Sequence, residues 1–251
     1  MKNSYILILS FILSLSASAQ NFYYHLTYGT EAAYDWSYSG TSVLSSVGGD
    51  KNDVLSTAQA LPFAWNFGAG AVTHYKVSDN GYITFDTSSI TSYSANIGTM
   101  STAGPNRAIF GFWDDLELKS YNTVHDYIYK WTYGSAPNRI HVIQWHGATP
   151  QGRSPQTENL FFAIRIYEAG GFDVVYNFRN SSTVTGTTGV EDTSSTMAGV
   201  IGKMVTGSPS INLPSAPLLE VNRPVYKFIF GNQPSQDIHG LKLTMPEIVS
   251  A

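Results

Sequence analysis

Apolar and polar positions alternate with a period of two through most of the chain, in short runs separated by Gly, Pro, Asn, Asp and Ser. Residues 22 to 28 place Phe22, Tyr24, Leu26 and Tyr28 on one face, and Leu61, Phe63, Trp65 and Phe67 alternate with Pro62, Ala64 and Asn66. Pro62 cannot donate to a sheet ladder, so that strand is expected at an edge. Further strands are predicted over residues 73 to 78, 82 to 86, 127 to 133, 139 to 146, 160 to 167, 172 to 178, 186 to 190, 198 to 205 and 225 to 230. In the run from Leu160 to Tyr167, one face is wholly apolar and the other carries Arg165, which predicts a mid-sheet strand.

Turn chemistry joins these runs. Asp79-Asn80-Gly81 predicts a hairpin with a type I′ turn, because Asn and Gly both tolerate positive φ. Gly134 to Asn138 and Glu168 to Gly171 predict two more hairpins, and residues 37 to 58 read as a long loop with at most short strands. Residues 108 to 118 form an apolar-then-acidic segment whose first half is expected to enter the core. No stretch after the N-terminal segment keeps a 3.6-residue stripe. About ten strands at this spacing predict an all-β fold, an antiparallel two-sheet β-sandwich of jelly-roll-like form.

The N-terminus follows a different pattern. Lys2, the apolar stretch from Tyr5 to Leu15 and the small residues Ala17-Ser18-Ala19 have the three parts of a secretory signal peptide, with cleavage expected between Ala19 and Gln20. That apolar stretch is shorter than the ~20 residues a spanning helix needs, and no later one approaches it, so no transmembrane segment is expected. The expected destination is the cell surface, the medium or the periplasm.

Composition narrows the functional classes. The chain has no cysteine, which removes disulfides, thiolate chemistry and a cysteine-borne lipid anchor. Charged residues make up 13% of the chain and its net charge is −4 with no basic run, so nucleic acid is not an expected partner. The 16 Tyr, 13 Phe and 5 Trp among many small polar residues favour strands and turns.

Candidate chemistry is sparse. Asp114 and Asp115, with Glu117 close by, are the metal candidates, and calcium is the ion that carboxylate oxygens would take. In an extended strand the two aspartates point to opposite faces, so a shared ion requires a bulge or turn. The plainer expectation is that they accept hydrogen bonds from loop backbone. Asp50-Lys51-Asn52-Asp53 reads as a polar loop.

Asp114, Glu168 and Asp173 can be nominated for glycoside hydrolysis, but nothing pairs them, and solvated strand ends are the simpler reading. His141 and His146 fall on opposite faces of one strand. Trp36, Trp131 and Trp145, with Tyr38 and Tyr133, are candidates for stacking on sugar rings. Asn180-Ser181-Ser182 matches an N-glycosylation acceptor but reads as an ordinary turn.

Several segments, in order, resemble the nidogen-like (NIDO) extracellular module. They are Leu61-Pro62-Phe63 with Phe67-Gly68, Val77 through Phe85, Asn106 through Ile109, Phe112-Trp113-Asp114-Asp115-Leu116, Arg139 through Trp145, the hairpin from Leu160 to Tyr176, and Gly189-Val190-Glu191-Asp192. The resemblance implies an extracellular β-sandwich for adhesion or surface interaction, as found at the N-termini of secreted multidomain proteins of bacteria with type IX secretion.

On this reading residues 20 to 231 form the sandwich, and residues 232 to 251 form a linker or the first strand of a following Ig-like module. The expected function is a secreted or cell-surface, non-catalytic binding or adhesion module whose partner is an extracellular protein or polysaccharide. A carbohydrate-binding module ancillary to a secreted enzyme is the alternative, and a cryptic hydrolase comes third.

Overall fold

A computed structural model describes residues 23–31, 40–67, 70–93, 104–180, 186–191 and 223–231. Its strands are numbered β1 to β16 along the chain, and among the described residues there is no helix. The larger antiparallel sheet runs in the order β1 (Tyr23–Glu31), β16 (Arg223–Gly231), β14 (Phe172–Asn180), β13 (Glu158–Tyr167), β12 (Ile140–Pro150), β11 (Tyr127–Tyr133) and β2 (Thr41–Ser45). Short strands β8 (Leu116–Leu118) and β3 (Lys51–Asn52) extend it beside the end of β12.

The smaller sheet runs β15 (Thr187–Glu191), β7 (Ala108–Trp113), β6 (Tyr82–Thr84), β5 (Gly70–Ser78) and β4 (Gln59–Phe67). A separate small hairpin pairs β9 (Ser120–Tyr121) with β10 (Val124–His125). The two main sheets pack face to face as a β-sandwich.

The alternation in the sequence decides which side of each strand is hidden. In β4, Leu61, Phe63, Trp65 and Phe67 are buried while Ala60, Pro62, Ala64 and Asn66 are exposed, and β4 is an edge strand, the place where Pro62 costs no ladder bond. In β13, at mid-sheet, Leu160, Phe162, Ile164 and Ile166 all enter the core. Phe162 is its centre: Trp145 stacks on it at 4.7 Å, Phe112 approaches at 6.1 Å, and Gly111 leaves room for its ring. Burying side chains of this size is worth roughly 1.5–3 kcal/mol each, so this layer supplies much of what holds the sheets together without disulfides.

The Asp79-Asn80-Gly81 hairpin forms between β5 and β6, but its turn is not type I′. Gly81 N donates to Ser78 O at 3.3 Å, and within the turn only Gly81 takes positive φ, at 83°. This is a type I turn followed by a left-handed glycine, the usual three-residue hairpin. The reason lies in what the side chains hold.

Both carboxylate oxygens of Asp79 accept from Val54 N at 2.9 and 3.0 Å. Asn80 accepts from Leu116 N at 2.8 Å and donates to Asp53 at 2.9 Å. Gly81 O receives both Gly111 N and Phe112 N at 3.0 Å, and a Cβ on Gly81 would run into the carbonyl oxygen of Phe112. Burial pushes the Asp79 carboxyl up to about 7, against the lowering effect of these hydrogen bonds.

The expected apolar-then-acidic segment is two strands. β7 is buried throughout, the chain bends at Asp114 and Asp115, and β8 crosses to the other sheet and is buried as well. The long polar loop contains β2 and β3, as short as the pattern allowed. The N-terminal segment read as a signal peptide, the strand expected over residues 198 to 205 and residues 232 to 251 lie outside the described residues.

Candidate binding surface

The face of the larger sheet turned away from the smaller one is where sequence and geometry bring chemistry together. Its orientation is fixed by the other side of β11. Lys130 Nζ reaches across to Gln59 Oε1 of β4 at 2.7 Å, and Thr132 Oγ1 meets His141 Nδ1 at 2.8 Å, with His141 Nε2 2.7 Å from Tyr75 OH of β5. Period-two geometry then turns Tyr127, Tyr129, Trp131 and Tyr133 outward. All four are at least partly open, and Tyr133 is 45% exposed.

The rings of Tyr127 and Tyr129 stack with centroids 5.0 Å apart and planes 12° apart. Strand register sets His146 of β12 beside Tyr127 and Phe161 of β13 beside His146. His146 meets Tyr129 edge-on at 5.8 Å and Phe161 at 5.1 Å, and its Nδ1 lies 3.1 Å from Gln144 Nε2. Farther along, Trp131, Ile140 and Phe161 pack against the buried Val142, Ala163 and Val175.

Next to this patch, Arg165 and Asp173 form a buried two-pronged ion pair, Nε to Oδ1 at 2.7 Å and Nη2 to Oδ2 at 2.6 Å, and Tyr167 OH donates to the same carboxylate at 2.6 Å. Burial and the Asp173 charge push the Tyr167 phenol far up.

The residues singled out from sequence divide sharply. Trp131 lies on this outer face, half-buried. Trp145 does not: it is fully buried, stacked on Phe162, with its Nε1 donating to Ser78 O at 3.1 Å, so it offers no ring to a ligand. β12 is apolar on both faces, and the pattern alone did not say which one was the core. Trp36 and Tyr38 lie outside the described residues, as do Ser181 and Ser182.

Asp114 and Asp115 occupy the bend that a shared ion would require, yet among the described residues no three His, Asp or Glu side chains gather to hold a metal. Burial raises both carboxyls; for Asp114 the charge of Asp115 adds to this, and for Asp115 the charges of Asp53 and Glu117 do. The polar loop at residues 50 to 53 is structural: Asp50 accepts from Ser120 N at 3.0 Å, and Asp53 from Asn80.

The nominated hydrolytic carboxylates differ from the solvated strand ends expected of them. Asp173 is fully buried against Arg165, and Glu168 is clamped by Arg139 through Nε at 2.9 Å, Nη2 at 2.6 Å and the backbone N at 3.0 Å. The Arg139 hydrogen bonds hold the Glu168 carboxyl below its usual range. His141 and His146 point to opposite faces, and burial depresses His141 to about 4, keeping it neutral.

What sequence reasoning missed was the tyrosine pair. Its signal was present in Tyr127-Ile128-Tyr129-Lys130-Trp131-Thr132-Tyr133, four aromatic residues at every second position. The contribution of His146 and Phe161 is legible only from the strand register.

Comparison with known proteins adds one positive finding. A family model described as NIDO related matches residues 23–219, which span most of the sandwich. No curated protein and no solved structure matches the chain.

Proposed function

The chain belongs to the NIDO-related family, and on that premise we propose that it is a non-catalytic binding module that works outside the cytoplasm, attaching to an extracellular protein or polysaccharide. The observation that carries this reading is the family match over residues 23–219, which agrees with the segment-by-segment likeness to nidogen-like extracellular modules. Export is supported by Lys2, the apolar stretch from Tyr5 to Leu15 and the small residues ending at Ala19, and N-terminal sequencing of exported protein is expected to begin at Gln20.

The non-catalytic part draws support from the fate of the acidic residues. A general acid or nucleophile must reach its substrate, whereas Asp173 and Glu168 are each engaged by an arginine and Asp79 by backbone. The test is attachment without turnover. Labelled protein is expected to bind surfaces coated with extracellular proteins or polysaccharides and to release no product from polysaccharide and peptide panels. Product release that disappears in Asp114→Asn or Asp115→Asn would overturn the reading.

A further inference from the structure

We propose that the aromatic column of β11, Tyr127, Tyr129, Trp131 and Tyr133 with His146 and Phe161 beside it, is a recognition strip for a neutral, unbranched polysaccharide. This rests on the binding-module reading and gives it a ligand class. A pyranose has an apolar face of C–H groups and a rim of hydroxyls. Tyrosine matches both, with a ring to stack on the face and a phenol to bond the rim.

Tyr127 and Tyr129 stack on one another 12° from parallel, which fixes both rings and leaves a sugar to lie against the part of each face that the other ring does not cover. His146, held by Gln144, brings a polar ring edge beside them. From Tyr127 to Tyr133 is six residue steps, about 20 Å of strand, so the strip suits a chain of several sugars better than one.

Charge argues for a neutral ligand. The only cation on β11, Lys130, is turned inward to Gln59, and Arg165 and Asp173 beside the strip cancel one another. A polyanion would meet no Lys or Arg of β11 to β13 on this face without a carboxylate partner, and it would approach a protein of net charge −4.

The test is native affinity electrophoresis of the full chain in gels containing soluble linear mixed-linkage β-glucan or glucomannan, with alginate as the anionic comparison. At least one neutral polymer is expected to retard the protein and alginate is not. Tyr127→Ala and Tyr129→Ala are expected each to weaken that retardation by up to about tenfold, Tyr129→Phe to retain it, and Tyr121→Ala, on the separate β9–β10 hairpin, to leave it unchanged. Circular dichroism establishes that each variant is folded.

No retardation by any neutral polymer, or equal retardation in folded Tyr127→Ala and Tyr129→Ala, overturns the strip. Continued attachment to protein-coated surfaces in that case overturns the strip alone, whereas loss of all attachment overturns the binding-module reading as well.

Discussion

Two regions stand out in the sequence, and the structure uses them in opposite ways. The segment Asp79-Asn80-Gly81 with Phe112 to Leu116 has the look of chemistry: an acidic turn, a tryptophan and an aspartate pair. The polar groups of its turn are consumed internally, by Val54 N, Leu116 N and the backbone around Gly111. The segment from Tyr127 to Tyr133 carries no motif at all, yet it turns four aromatic side chains outward. Polar residues that satisfy buried backbone groups cannot also serve a ligand, whereas aromatic residues left over after the core is filled can. The density of recognisable motif is therefore a poor guide to which side chains the fold turns outward.

The sharpest way to break this contrast is to strike the turn. Gly81→Val introduces a β-branched residue at φ 83° and drives its Cβ into the Phe112 carbonyl, a backbone atom that cannot move aside cheaply. A loss of about 4 kcal/mol or more is expected, read by urea unfolding, since strain and a backbone clash act together. If the variant lost less than ~1 kcal/mol, the turn would not be the joint described here.

Arg165 tests whether the outer face is as dispensable as the comparison suggests. Arg165→Met leaves Asp173 buried with the Tyr167 hydroxyl but no opposite charge and is expected to cost about 3–5 kcal/mol. Adding Asp173→Val is expected to restore most of that, because the penalty comes from the stranded charge. The outer face thus has a fixed interior around Arg165 and a replaceable margin at the tyrosines.

The pH dependence of stability separates the joint from the sheet contact at His141. Asp79 has a folded pKa of about 7, above its unfolded value, so between about pH 4 and 7 the folded state holds a proton that the unfolded state has released. Stability from this group is greatest at the acid end and falls as pH rises, by at most about 1.4 kcal/mol per unit. Asp126, raised by burial to about 6, acts in the same direction between about pH 4 and 6.

His141, depressed to about 4, acts in the opposite direction: below about pH 6.5 the unfolded chain takes up a proton that the folded chain refuses, so stability falls as pH drops. His141 offsets only one of the two carboxyls, so the intact protein is expected to lose stability as pH rises from about 4 to 6. Asp79→Asn is expected to flatten that fall and His141→Gln to steepen it. Identical profiles for the two variants would mean that neither group is as buried as drawn.

How much of this was legible depends on local repetition. β4 and β13 were readable because alternation over seven or eight residues defines a face, and Pro62 and Arg165 placed them at edge and centre. β8, β9 and β10 were not, because two or three residues set no period. The Asn-Gly pair announced a hairpin but not its turn type, since Asn80 is held by Leu116 N, thirty-six residues away. Trp145 looked as available as Trp131 because β12 carries apolar residues on both faces, and only the partner sheet decides which is covered.

The smallest effect is the one that most sharpens the contrast. Tyr129→Ala removes a half-buried ring whose stacking partner, Tyr127, is itself half-buried on the outer face of the sheet. An aromatic pair of this kind contributes roughly 0.5–1.5 kcal/mol, and partial exposure places the expected cost at or below the lower end. Unfolding free energies of Tyr129→Ala and the parent chain, read from urea titrations, are therefore expected to differ by less than about 1 kcal/mol. A loss comparable to Gly81→Val would make the tyrosine pair part of the framework, and the division between a region spent on folding and a region left for binding would disappear.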